Sequence, residues 1–314
     1  MIAVHSKINT RIALVKTNAA GEIVWTGETK NLITNYGLSN FFVSGVFQNM
    51  YISSATAVPT TADTGMGGTV ASSSGGSTLF PTFTQSVSAG GVITASRGAK
   101  FNTPGTYGTV GVGTNSTSTI ATKALIRDTG GTPTTVTLLA GESLDVQYSM
   151  ESQIPTALIT GNISGIDYEL FQWYGGGGSV NDHCWNPSAT FPGFSGQQNF
   201  FFGNNAATPA FSGTTVSNTT TTPVGWTNAV GYGSFNGSGD FAWLSAAVVA
   251  GDQVSRTFRA RVLPAGAVPG NALHGIVVGI QGFHRSLALR FPNTKPSKTN
   301  VQEFRLDVTL IITR

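Results

Sequence analysis

The chain has 314 residues, of which 10% are charged, 40 are glycine and one is cysteine, and its formal net charge is +3. That length suffices for two domains of ordinary size, each with its own core. The composition excludes a disulfide scaffold and a highly charged disordered chain, and no apolar run approaches the roughly 18–20 residues of a membrane-spanning helix.

A typical soluble domain is about 25% charged, so few charges are left here to solvate a large free surface. Abundant Gly, Ser and Thr between short apolar runs suit strands joined by polar loops, or a surface covered by neighbours. Both are expected of a subunit in a larger assembly. The stretch Met1 to Ile12 carries charges and lacks the apolar core of a secretory signal, so none is expected there. The single thiol, Cys184, fits folding in a reducing compartment.

In chain order, Arg11-Ile12-Ala13-Leu14-Val15 and Ile23-Val24-Trp25, joined through Asn18 to Glu22, read as a hairpin with Gly21 supplying the turn's backbone freedom. A short helix near 35–43 follows, capped by Thr34 or Asn35, with Tyr36, Leu38, Phe41 and Phe42 at helical spacing. Thr60 to Ser77 reads as a long loop or insertion, the kind that is functional or pinned by a partner. Ser143 to Met150 alternates polar and apolar, placing Leu144, Val146, Tyr148 and Met150 on one face of a strand. Glu303 to Leu310 does the same with Phe304, Leu306, Val308 and Leu310.

The two halves echo each other. Pro104-Gly105 followed by Tyr107 to Gly113 has a counterpart in Pro269-Gly270 followed by His274 to Ile280. Lys123 to Ile126 matches Leu287 to Arg290, and Leu144-Asp145-Val146 matches Leu306-Asp307-Val308. The starting residues of these pairs lie 165, 164 and 162 apart, in constant order. The expectation is a duplicated β-domain, 1–160 and 161–314, with a large loop at 175–222 in the second. Both units are expected to be β-sandwich-like.

Searches for chemistry return little. Gly175 to Gly178 is followed by Ser179-Val180-Asn181-Asp182 and not by the Lys-Ser/Thr of a phosphate loop, so it reads as a turn. Asp182-His183-Cys184 places carboxylate, imidazole and thiol in succession, but catalytic partners converge through folding and not through contiguity. The other histidines, His5, His274 and His284, show no zinc-ligand spacing. No catalytic, metal-binding or cofactor-binding residues are assigned, and the expectation is a non-enzymatic protein. Aromatics crowd the early second half, including Trp185, Phe191 and Phe194 in the large loop. They suit anchoring to a core or a neighbouring subunit, and alternatively stacking on sugar rings.

Charge is uneven. No Lys or Arg lies between Arg127 and Arg256, while nine acids do; Arg256 to Arg314 then holds nine of the 17 basic residues. Opposite-sign surfaces that meet when copies stack are one reading, and a basic face toward DNA is its rival. Direct contact with nucleic acid is not expected, nor is membrane insertion.

The stretch from Arg97 through Ile154 resembles a module of tailed-bacteriophage tail proteins. Phe101, Pro104 and Gly105 lead into Gly111-Val112-Gly113, then Ala124-Leu125-Ile126. Asp128 to Thr137 follows as Asp-x-Gly-Gly-x-Pro-x-Thr-Val-Thr, and Leu139 to Tyr148 closes as Leu-x-Gly-Glu-x-Leu-Asp-Val-x-Tyr. Asn31 to Leu38 resembles the opening motif of such proteins, and Phe291-Pro292, Lys295, Lys298-Thr299 and the final strand resemble their closing segment. The resemblance covers about half the chain and implies assembly, with no catalytic residues to carry over.

The resulting expectation is a virion component of the tail or head–tail region, assembled in the host cytoplasm and contacting copies of itself and other virion proteins. A connection of fibres or spikes to the tail would be its specific role. The alternatives are a host-receptor or glycan-binding adhesin, which would contact a host surface receptor, and a capsid decoration protein. The candidate interface residues are the basic set Arg285, Arg290, Lys295 and Lys298 and the aromatic set Trp185, Phe191 and Phe194.

Overall fold

A computed structural model describes residues 2–41, 46–81, 84–87, 92–153, 159–174, 198–203, 232–234, 241–243, 246–262, 272–280, 285–294, 296 and 304–314. Among these the chain is all-β with one short helix. The first half contributes β1 (Ile2–Thr17), β2 (Ile23–Lys30), β3 (Leu32–Ile33), α1 (Asn35–Ser39), β4 (Asn49–Ser53), β5 (Val70–Ser72), β6 (Thr84–Val87), β7 (Val92–Phe101), β8 (Gly105–Tyr107), β9 (Thr109–Gly113), β10 (Ile120–Leu125), β11 (Val136–Leu138) and β12 (Ser143–Gln153). The second contributes β13 (Ile159–Ile163), β14 (Ile166–Tyr174), β15 (Gln198–Gly203), β16 (Tyr232–Ser234), β17 (Phe241–Trp243), β18 (Val248–Ala250), β19 (Gln253–Val262), β20 (Ala272–Ile280), β21 (Arg285–Arg290) and β22 (Phe304–Thr313).

The strands form four sheets. The largest runs β17-β19-β22-β1-β12-β7-β6, with β2 also on β1 and β18 also on β19. A five-stranded sheet runs β3-β10-β9-β4-β5, a six-stranded sheet β13-β14-β21-β20-β15-β16, and β8 pairs with β11. The halves share a pairing order. Where the first half has β3-β10-β9-β4-β5 and β6-β7-β12, the second has β14-β21-β20-β15-β16 and β17-β19-β22, antiparallel at every step. The large sheet takes strands from both sides of residue 160, and β1 is the seam between them.

The expected hairpin forms, with β1 and β2 antiparallel and Gly21 at φ +84° in the turn. β1 extends far beyond the apolar run Ile12 to Leu14, because hydroxyls stand in for apolar side chains at its core-facing positions. Ser6 and Thr10 are buried there. The Ser6 hydroxyl lies 3.0 Å from that of Ser152, and Thr10 Oγ1 donates to the Asn31 carbonyl at 2.9 Å. A buried hydroxyl with a partner costs little, so the strand continues where alternation of apolar residues alone would end it.

Leu144, Val146, Tyr148 and Met150 are buried along β12, and Leu306, Val308 and Leu310 along β22. They belong to one cluster with Ile12 and Leu14 of β1, Ile52, Val110, Val112 and Ala124 of the five-stranded sheet, and Leu170 and Leu289 of the six-stranded sheet. At roughly 25 cal/mol per Å² of apolar area removed from water, burial on this scale is the dominant stabilising term.

The helix is shorter than expected over 35–43. Thr34 is its N-cap, accepting from Gly37 N–H at 3.0 Å while its hydroxyl donates to the Ile120 carbonyl at 2.8 Å. It ends at Ser39, because the Asn40 side chain donates to the Tyr36 carbonyl at 3.0 Å and closes the last turn. Phe41 is buried nonetheless, edge-on to Phe47 with ring centroids 5.7 Å apart. Residues 42 and 43 lie outside the described residues.

The segment Thr60 to Ser77, expected as a loop pinned by a partner, is held by its own chain. It contains β5, buries Met66, and ties Asp63 to Lys123 in an ion pair of 3.0 Å. Its end is fixed to the sheet by Asp145, fully buried, which accepts from Ser77 Oγ at 2.6 Å and Thr78 N–H at 2.9 Å. The acid of the Leu-Asp-Val motif thus holds a covering segment over β12.

Candidate functional site

The most distinctive site among the described residues is a fork in the large sheet. β12 takes one edge of β1 over Ile8 to Thr17. The other edge is divided: β22 runs parallel to Ile2–Lys7, and β2 runs antiparallel to Arg11–Thr17. Between them Ile8, Asn9 and Thr10 face a gap that opens into a cleft of about 710 Å³. Its walls come from β1, from the β2–β3 junction at Lys30 to Ile33, from Thr61, and from the Asp252 turn with Arg314.

Arg314 closes the bottom of the fork. Its Nε donates to Asp252 Oδ1 at 2.9 Å, one terminal nitrogen to the Ile33 carbonyl at 2.9 Å, and the other to Asn35 Oδ1 at 3.1 Å. One guanidinium thereby joins the end of β22 to β3 and the helix. On the rim Arg11 pairs with Glu151 at 2.7 Å. Glu28 and Lys30 are exposed and have no ion-pair partner among the described residues. Asn31 encloses both side-chain polar atoms without a hydrogen-bond partner. The cleft therefore presents charges of both signs, suited to binding a polar segment and without a nucleophile–base pair, while the unpartnered Asn31 amide atoms are themselves buried. Among the described residues no group of three or more His, Cys, Asp and Glu is placed to hold a metal ion.

Among the described residues four carboxylates are held below their ordinary range, one of them Asp167 through bonds from Asn162 and Asn293. For Asp63, burial would raise it, but hydrogen bonds from Thr60 and Lys123 outweigh that. Glu142 is lowered by its bonds from Lys16 and the Leu139 N–H, and Asp307 by the Arg259 guanidinium. Arg259 grips Asp307 with two bonds, at 2.7 and 2.8 Å. Burial pushes Arg97 below the usual guanidinium value, and its Nη1 donates to the Gln48 carbonyl.

Of the interface residues expected from sequence, Arg290 is engaged inside the fold, its Nε bonded to Glu169 across the β14–β21 pair. Arg285 begins β21, opposite Tyr174 and Ile280. Lys295, Lys298, Trp185, Phe191 and Phe194 lie outside the described residues, as do Cys184 and Gly175 to Gly178. Of the two sets only Arg285 and Arg290 are therefore among the described residues. The structure also shows where part of the charge asymmetry goes: Glu169 and Asp252, from the stretch without Lys or Arg, pair with Arg290 and Arg314 of the basic segment. Sequence reasoning missed the fork because its walls come from positions as far apart as 8, 30, 61, 252 and 314. The one local signal was polar Thr10 and Asn31 beside apolar strand positions.

Comparison with known proteins returns no match: no family model fits the chain, and neither a curated protein nor a solved structure is significantly similar to it.

Proposed function

We propose that this chain is a non-enzymatic structural component of a tailed-phage virion, built from two related β-sandwich-like units and forming subunit interfaces in the tail or head–tail region. The observation that carries the reading is that many of the described residues bearing the tail-protein resemblance build turns, caps and core. Asp128 closes a turn by accepting from Thr132 N–H at 2.9 Å, and Gly131 N–H donates to its carbonyl at 3.0 Å. Glu142 closes the next by accepting from Leu139 N–H at 2.7 Å and pairing with Lys16 at 2.8 Å. Tyr107, Val110, Val112, Leu144, Val146 and Tyr148 are buried. A motif used this way specifies a scaffold and not a reaction.

The shared pairing order of the halves supports a duplicated unit, and the low charge of the chain supports a surface covered in assembly. Its neighbours are then copies of itself and other virion proteins. The test is the composition of purified particles from the virus that encodes the chain. Mass spectrometry should find it at fixed stoichiometry through successive gradients; its loss during purification would remove the reading.

A further inference from the structure

Among the described residues β2 pairs with β1 alone, so it is an edge strand whose outer side carries no other strand. The bond from Asn31 N–H to the Thr10 carbonyl sets the phase of the β1–β2 ladder. Thr29, Gly27 and Trp25 therefore turn their backbone groups toward β1, and Lys30, Glu28 and Thr26 turn theirs away; beyond Trp25 the register shifts at Val24. Among the described residues none of these outward groups has a backbone partner; the Lys30 carbonyl accepts only the Thr29 hydroxyl, at 3.1 Å. All three outward side chains are exposed, as are Val24 at the register shift, 51% accessible, and Ile23 at 59%. Such an edge is a template for a further strand.

We propose that the β2 edge is a self-association surface, on which β2 of a second copy adds antiparallel about a twofold axis through Gly27. This deepens the self-association in the reading above and rests on it. The residues of the edge select this register. With Gly27 on the axis, Thr26 faces Glu28 in both copies and Lys30 falls beside Val24, so the outward N–H and C=O groups of Thr26 and Glu28 are paired and no like charges stand opposite. Moving the axis to Glu28 sets two carboxylates directly against each other, which is destabilising. Moving it to Thr26 sets Lys30 against Glu22, whose carbonyl already bonds Asn18 N–H inside its own hairpin. Gly27 also suits the axis because its inner side is filled by the Arg127 carbonyl, which a Cβ would meet at 2.2 Å. The edge charges bar unmatched strands while accepting this one.

The same register directs the incoming hairpin turn past Lys30, toward the cleft at the fork. There its Glu22 carboxylate meets the Lys30 ammonium, one of the cations without an ion-pair partner among the described residues, and the exchange is reciprocal across the axis. This gives the cleft an occupant of the polar kind its walls suit.

Sedimentation of the full chain over a range of micromolar concentrations, with and without Thr26→Pro, tests the proposal. That substitution removes an outward N–H and no bond to β1. The expected result is concentration-dependent dimers whose association weakens at least about tenfold in the variant. Hydrogen exchange of the unmodified chain keeps the test independent of the variant's folding: the Thr26 and Glu28 amides should slow on association. Dimers with unchanged exchange there, or unaffected by Thr26→Pro, would overturn this surface and leave self-association standing. A chain that stays monomeric would overturn both.

Discussion

Gly37 marks the closest approach of the helix to the sheet beneath it. A Cβ built there would stand 2.1 Å from the Ala121 carbonyl oxygen, well inside contact distance, and that oxygen already accepts from Thr34 N–H at 2.9 Å. Neither group can retreat without breaking the cap that starts the helix. Gly37→Ala should therefore destabilise by about 2–3 kcal/mol, toward the upper end for overpacking, and chemical denaturation would measure it. A loss under half a kilocalorie per mole would mean that helix and β10 are looser than described. The role of Thr34 as cap was legible in the sequence, because Thr before a short apolar periodic run has few other uses. The contact that demands glycine was not, since it depends on a strand more than 80 positions away.

β1 shows why elements were harder to read than residues. Its first half pairs parallel with β22 and its second half antiparallel with both β12 and β2, so one strand binds the two halves of the chain together. Alternating apolar residues announced only the part from Arg11 to Val15. Ser6 and Thr10 hid the remainder, because hydroxyls with buried partners break the apolar pattern without breaking the strand. The segment Thr60 to Ser77 is mostly irregular, as its loop reading expects, with β5 alone as strand. What hid its attachment is that its anchors, Asp145 and Lys123, lie on strands remote in sequence. Where a strand carried its own alternation, as in β12 and β22, the reading from sequence held. At the fork, Arg314 joins the end of β22 to the β3–helix junction. Arg314→Ala should cost about 1–2 kcal/mol, since it leaves the Ile33 carbonyl and Asn35 side chain without that donor. Hydrogen exchange should show the loss concentrated in the strand end near Thr313 and in residues 31–35; uniform loosening would contradict a local tie.

At the scale of the whole molecule, the ion pairs that join remote positions give stability a defined dependence on pH. Asp63, Glu142 and Asp307 all titrate below their ordinary range in the folded chain. Their contribution is thus present above the unfolded carboxylate value near pH ~4 and is lost as pH falls through the lowered folded values. The melting temperature should fall steeply on acidification below about pH 4, and Asp307→Asn should flatten part of that fall in calorimetry. An identical slope in the variant would show that the Arg259 pair does not report on folding. The uneven charge of the sequence is partly reconciled within the chain by Glu169–Arg290 and Asp252–Arg314. The surface left for neighbours then depends on edges and clefts, of which the β2 edge and its fork are the clearest among the described residues.

A structural role in a virion demands that the chain occupy a fixed place on the particle. Gold-labelled antibody electron microscopy of intact particles from the encoding virus measures this directly. The account predicts label confined to the tail or neck. Label spread over the capsid would instead mark a decoration protein, and particles without label would contradict the virion assignment itself.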